Sequence, residues 1–468
     1  MAPAGRWSRM VLAAGLTAAV MGPWSHTAER SRRIQYSDLP PVLQKSLAAS
    51  GVPEERFATF IAQVEAETDR RVEEGDREHL IYYALQSARF TNRPRLEPAL
   101  SARGFVDSLS AEHRNRLMAD PSYLPATGLP PAERARITDL LRALRKDIAD
   151  PRLAQFRQML EAEGGSLTAD ALYPDYVRVT RFLYKKEFAA RGDAAAIAEL
   201  YRTRPHSSDT QIDAGFGVSI GLGLVHALEP ALRVRRALVV GPGLDLAPRT
   251  DLVDASEPQS HQPLAVADAL LSRSLAAAGD FTVHSVDVNP RVVRAVARVA
   301  QDGLTWHVFA GIPATPDRVF AEDYRAYVRE LGRAVGTRAR ASSAMTSDPR
   351  YQHSIALSPA VARALTAERL NVITERLVEG AGFDIVIVTN VLAYFNDTQL
   401  ALALSNMAAM LRPGGYLLHN EARDGLAAMA SSLGIPAMQM RTAILGGPKS
   451  RPLYDIVWLH QKTDSRRP

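Results

Sequence analysis

From residue 236 onward the chain alternates short β-rich runs with helical stretches, and few folds satisfy that pattern. The runs are "RALVVG" (236–241), "FTVHSVDV" (281–288), "LTWHVFAG" (304–311), "FDIVIVTN" (383–390) and "YLLHNEA" (416–422). Between them lie segments of helical character such as "QPLAVADALLSRSLAAA" and "DTQLALALSNMAAML". This alternation predicts an α/β fold, with a doubly wound, mostly parallel seven-stranded sheet and crossover helices on both faces. The last two β-rich runs, "MQMRTAILGGPKS" and "PLYDIVWLHQK", flank a Gly/Pro turn. They predict an antiparallel hairpin, so that the last strand is antiparallel. The α/β domain is assigned to 236–462, with an insertion at about 312–372 between the third and fourth strands. Its polar stretch "RAVGTRARASSAMTSDPRYQH" reads either as a mobile surface loop or as a lid.

The region before the sheet is different in kind. Residues 34–205 read as an all-helical N-terminal domain, in which "PEERFATFIAQVEAETDRRVEEG" ends at Gly75 and "DREHLIYYALQSARF" follows as a separate helix. Residues 206–235 read as a linker or as a segment that completes a pocket. Residues 1–33 form a leader: two arginines, then thirteen weakly apolar residues from Met10 to Gly22. That is the length of a secretory signal core and too short for an ordinary membrane-spanning helix. A signal peptide, a signal anchor and a disordered tail remain open, and no stable membrane span is expected beyond a possible anchor. The net charge of +5 is concentrated here, since residues 1–35 hold five arginines and one glutamate. The rest is close to neutral, which gives no support to a nucleic-acid partner. With no cysteine in 468 residues, thiolate chemistry and disulfides are excluded. The histidines are scattered without ligand spacing, so no metal site is expected.

In an open parallel sheet, ligands bind at the carboxyl ends of the strands where the topology reverses. Three places qualify. Gly241-Pro-Gly243 follows the first strand and lets backbone approach a ligand closely, although the third glycine of a dinucleotide loop is replaced by Leu246. Asp287 ends the second strand; it is a candidate to accept hydrogen bonds from ribose hydroxyls, or else a cap for the helix that follows. Thr389-Asn390 with Tyr394-Phe395 follows the fourth strand, and the two aromatics read either as site residues or as core. The stretch 202–224, "RTRPHSSDTQIDAGFGVSIGLGL", reads as a linker or as a pocket wall built from His206, Ser207, Ser208, Asp209 and Thr210.

These motifs carry a resemblance. The run 237–460 resembles a class I S-adenosylmethionine-dependent methyltransferase domain, through the strand–helix–"LRPGG"–strand order of 383–422. "NVLAYF" and the helix start "EPQSHQPLAVADALL" more narrowly resemble the chemotaxis-receptor glutamate methyltransferases. The resemblance implies S-adenosyl-L-methionine as cofactor. Gly241 and Gly243 would lie beside its methionine portion, Asp287 would hold the ribose, and Asn390, Val391 and Leu392 would face the sulfonium end. Tyr394 would be the catalytic residue near the transferred methyl. Two departures stand out: Thr389 where the chemotaxis family has arginine, and Val239 where many methyltransferases have an acid, which the chemotaxis enzymes also lack.

Methyl transfer is a displacement that asks mainly for alignment, which agrees with the absence of an obvious nucleophile. The acceptor, small molecule or protein, is not encoded legibly. A carboxylate would need no general base; an amine or hydroxyl would, with His206, His284 or His419 as candidates. The leader opposes this reading, because an exported protein lacks a supply of the cofactor. The alternative is an exported, non-catalytic protein that keeps a degenerate methyltransferase fold as a binding scaffold. A nicotinamide-dependent oxidoreductase fits less well, given the reversed last strand and "LRPGG".

Overall fold

The computed structural model describes residues 31–146, 150–162, 167–190, 192–246, 256–312, 319–347, 350–378, 382–447 and 453–463. The leader lies outside them except for Ser31–Arg33, which pairs as a short strand with Glu375–Leu377. Among the described residues, no helix is long and apolar enough to cross a membrane.

The centre is a sheet of β1 (Arg236–Val240), β2 (Thr282–Asp287), β3 (Val319–Phe320), β4 (Leu365–Arg369), β5 (Phe383–Val388), β6 (Leu411–His419), β7 (Ala437–Gly447) and β8 (Leu453–Gln461). Its spatial order is β3-β7-β8-β6-β5-β1-β2-β4. The five strands from β6 to β4 run parallel, whereas β8 is antiparallel to both neighbours. Side chains alternate between two cores, as a pleated strand requires. Ala237 and Val239 of β1 join one core with Phe216, Leu222 and Leu264. Leu238 and Val240 join the other with Leu43, Phe57 and Leu404. A strand buried on both faces reads as a continuous apolar run, and "ALVV" is one.

The sheet departs from expectation in two ways. It has eight strands rather than seven, because the two-residue β3 pairs with Gly446 and Gly447 at the edge. The run 304–311 is not its third strand. Thr305–Phe309 instead pairs antiparallel with Tyr351–Leu357, which also pairs with Gly336–Ala339, in a separate three-stranded sheet. The free edge of Thr305–Phe309 is satisfied by one side chain: Gln259 donates to the Thr305 carbonyl at 2.9 Å and accepts from the His307 N–H at 2.9 Å. β4 takes the place beside β2, directly after the short helix Pro359–Ala364. The insertion therefore lies between β2's following helix and β4, and the stretch expected as a loop or lid holds Gly336–Ala339, the helix Ser343–Thr346 and the start of Tyr351–Leu357, with 348–349 outside the described residues.

Helices precede the sheet. Those of residues 41–64 pack on the core shared with β1 and β5, whereas residues 80–179 hold a core of their own. One helix of 33 residues, Glu54–Gln86, serves both. It runs straight through Gly75, which does not end it. A Cβ at Gly75 would stand 1.8 Å from the His206 carbonyl oxygen. The glycine is there because another segment crosses the helix at that point, and the His206 N–H donates to the Arg71 carbonyl at 2.9 Å.

Candidate active site

The strand order reverses between β1 and β5, and their carboxyl ends open into a cavity of about 1010 Å³. Gly241 and Gly243 follow β1 with φ of +66° and +64°, a region that side-chain-bearing residues avoid. The space above them is equally restrictive. A Cβ on Gly241 would meet Val391 at 2.4 Å, and one on Gly243 would meet Thr210 Oγ1 at 2.3 Å. Thus two loops from opposite sides of the switch point close on a bare backbone cradle. The segment 207–210 is held there by backbone bonds from Thr210 N to Leu244 O (2.8 Å) and from Leu244 N to Ser208 O (2.7 Å).

Asp287, at the end of β2, reaches the same cavity. It accepts hydrogen bonds from the N–H groups of Asn289 at 2.8 Å and Gly243 at 3.4 Å. Burial pushes its carboxyl up to about 7, and the charge of nearby Asp76 adds to the shift. The capping role falls to Asn289 instead, whose side chain accepts from the Arg291 N–H at 2.9 Å. Asn289 also donates to Asp76 at 3.0 Å and to Ser208 Oγ at 2.9 Å, and Arg291 forms an ion pair with Asp76. Asp76 belongs to the long helix, so this helix roofs the strand ends. Nothing in its sequence distinguishes Asp76 from the other acids on a solvated helix face.

At the end of β5, Asn390 has φ of +59° and exchanges hydrogen bonds with Asn420 at 2.8 and 2.9 Å. Asn390, Val391 and Tyr394 line the cavity. Leu392 does not: it is 1% exposed and packs in the sheet core. Tyr394 is itself enclosed between the rings of His206 and Tyr201, and burial raises its pKa.

His206, Ser207, Ser208, Asp209 and Thr210 all line the cavity. The other two candidate bases do not. His284 bonds Thr366 and Glu368 on the neighbouring strand β4, and His419 is fully buried against His460. His206 is fixed through its backbone by Arg71, a buried guanidinium that also donates to the carbonyls of Arg204 (2.6 and 2.9 Å), Tyr394 (3.3 Å) and Tyr201 (3.5 Å). One residue of the long helix thereby ties together the three segments of the cavity's middle.

Beyond His206 the cavity continues among helices. Its wall carries a run of rings, His206–Tyr394–Tyr201–Phe182, with successive centroids 5.2, 6.0 and 5.8 Å apart. The Arg204 guanidinium lies 4.0 Å from the Phe182 centroid and pairs with buried Glu78 at 2.9 Å. Sequence reading missed this half, because aromatic residues at helical spacing look the same whether they face a core or a cavity.

No family model matches the chain, and no curated protein matches it. Among solved structures, it is similar to the N-methyltransferase NodS from Bradyrhizobium japonicum in complex with S-adenosyl-L-homocysteine (14% identity, 57% of this chain, 97% of that chain, TM-score 0.29). It is also similar to magnesium protoporphyrin IX methyltransferase from Synechocystis with bound SAM (10%, 68% and 100%, TM-score 0.27). A third is the CurJ carbon methyltransferase (12%, 91% and 100%, TM-score 0.30). Likeness at this level does not by itself define what the site holds.

Proposed function

We propose that this chain is an S-adenosylmethionine-dependent methyltransferase. The observation that carries the reading is a bare glycine cradle after β1 and a buried carboxylate after β2, facing one cavity at the topological switch point. The residues present fit the cofactor. Gly241 and Gly243 line the cavity with backbone alone, since Val391 and Thr210 leave no room for a Cβ, and that surface suits the methionine portion. Asp287 accepts from two N–H groups and has lone pairs left for a ribose diol. Asn390 and Val391 border the sulfonium end. When bound, the cofactor supplies a methyl group on a sulfonium that leaves as a neutral thioether.

The protein's part is alignment and exclusion of water. The long helix closes over the strand ends through Asp76, Arg71 and the bonds they make. Tyr394 acts here as a rigid wall, held by the rings of His206 and Tyr201 and by the bond from Arg71 to its carbonyl. The narrower kinship with the chemotaxis enzymes rests on "NVLAYF" and the "EPQS" helix start alone.

The test is calorimetric titration of the full chain with S-adenosylhomocysteine, on wild type and Asp287→Ala. Micromolar binding is expected, weakened by ~10–100-fold or more in the variant, the worth of one or two hydrogen bonds to a charged group. A folded wild-type protein that does not bind would rule out the enzyme and leave the scaffold reading.

A further inference from the structure

Resting on that reading, we propose that the helical half of the cavity is the chamber of the methyl acceptor. It takes a small aromatic molecule whose nucleophile is a hydroxyl or amine, and His206 receives the proton that nucleophile gives up.

Three observations converge. The cavity of about 1010 Å³ lies at the top of the range that holds one drug-sized ligand, and it extends past the strand ends into the helices. Its far half is walled by Tyr82, Pro98, Phe182, Leu183 and Tyr201, and the ring run from Tyr394 to Phe182 leads into it. Flat apolar ligands pack against such rings by offset and edge contacts. Exposed Glu97 and Glu187 mark where this half meets solvent.

The charges on that wall point away from a carboxylate acceptor. Arg204 is paired at 2.9 Å with Glu78, which Arg178 also approaches at 3.5 Å, and Lys186 with Glu187 at 3.3 Å, so neither cation on that wall stands without an acid. A neutral acceptor asks for no further cation.

His206 stands where the two halves meet. Its backbone is pinned to Arg71, and its ring packs 5.2 Å from that of Tyr394. Among the described residues, no side chain hydrogen-bonds its ring nitrogens, whereas His79 is engaged with Ser207 Oγ at 3.1 Å. Burial, with the guanidiniums of Arg71 and Arg204, holds the imidazole neutral before transfer, and the proton arrives as the positive charge of the sulfonium is discharged. One ring nitrogen is therefore a bare acceptor facing the cavity. In the transfer, a lone pair on the acceptor oxygen or nitrogen forms the new bond to the methyl carbon. The carbon–sulfur bond breaks with its electron pair kept on sulfur, and the acceptor's proton passes to that imidazole nitrogen.

The experiment uses the full chain saturated with S-adenosylhomocysteine, titrated calorimetrically with para-cresol, aniline and phenylacetate. The same three probes are then incubated with tritium-labelled S-adenosylmethionine. Para-cresol or aniline is expected to bind and to gain label. Leu183→Trp, which fills the chamber, should abolish probe binding while the affinity for S-adenosylhomocysteine stays the same. His206→Gln should keep both affinities and lower transfer by ~100-fold or more. Circular dichroism and urea midpoints establish that the variants are folded. Labelling of phenylacetate, no binding of either neutral-acceptor probe, or a wild-type rate in His206→Gln would each overturn the proposal. Loss of S-adenosylhomocysteine binding in the wild type is a separate result, and it would remove the cofactor reading itself.

Discussion

Replacing Gly75 by alanine puts two physical effects in direct opposition, so the sign of the outcome is informative. In an exposed helix interior this change stabilises by about 1 kcal/mol, because alanine is the better helix former. At Gly75 the new Cβ would stand 1.8 Å from the His206 carbonyl oxygen and 2.8 Å from its carbon, more than an ångström short of ordinary contact. The obstacle is backbone and cannot rotate away. Overpacking of this kind costs about 1–3 kcal/mol. Displacing the segment also endangers the His206 N–H bond to Arg71 O, at about 1 kcal/mol, and the charge-assisted bonds from Arg71 to the Arg204 carbonyl, at about 1.5–3 kcal/mol. Even after the propensity gain, Gly75→Ala should destabilise by about 2.5–6 kcal/mol in urea unfolding. Because His206–Thr210 form the cavity wall, S-adenosylhomocysteine affinity should fall by ~10-fold or more with it. A variant stabilised by about 1 kcal/mol with unchanged affinity would refute the crossing of helix and loop, and with it the account of how the wall is held.

Two further outcomes follow from buried titratable groups. Asp287 has its pKa pushed up to about 7, and a diol is bound best by the ionised form, so S-adenosylhomocysteine affinity should rise as pH increases through 7; a flat profile from pH 6 to 8 would contradict this. The same shift means the folded state holds an extra proton between the ordinary 3.8 and about 7, so the contribution of Asp287 to stability declines as pH rises across that window. Asp287→Asn should accordingly stabilise the ligand-free protein at pH 8 by about 1–3 kcal/mol while weakening binding by ~10-fold or more, as urea midpoints and calorimetry would reveal. His419 and His460 are in contact at 2.9 Å between their Nε2 atoms, and burial pushes His419 down to about 3. Here the unfolded chain binds the extra proton, so stability should be full above the ordinary 6.5 and be lost as pH falls towards 3; His419→Gln should flatten that slope in acid titrations of the urea midpoint.

The strand-end half of the cavity was legible because it depends on residue type at fixed points of a repeating pattern. A glycine after a buried strand and an acid after the next are constrained by backbone conformation and by the C-terminal edge of the sheet, both local properties. Leu392 was misplaced because the turn Leu392–Tyr394 after β5 directs successive side chains to different places, and sequence adjacency says nothing of which one. The helical half was not legible at all. Asp76, Arg71, Phe182 and Tyr201 are ordinary members of amphipathic helices until distant segments fold against them.

The sequence by itself determined the α/β alternation, the antiparallel closing hairpin and the glycine and acid positions, because period-2 and period-3.6 burial and the demands of φ are written in neighbouring residues. Only the tertiary structure decided which strands are partners. Thr305–Phe309 and Leu365–Arg369 both suit a strand, and the choice between them for the edge of β2 fell to long-range closure, with Gln259 satisfying the edge of the strand left out. It also decided the meaning of Gly75, which in sequence stops a helix and in space admits a crossing chain. The physical reason is the same in each case: propensity is fixed by a residue and its neighbours, whereas pairing and close approach are fixed by what else must occupy the same volume.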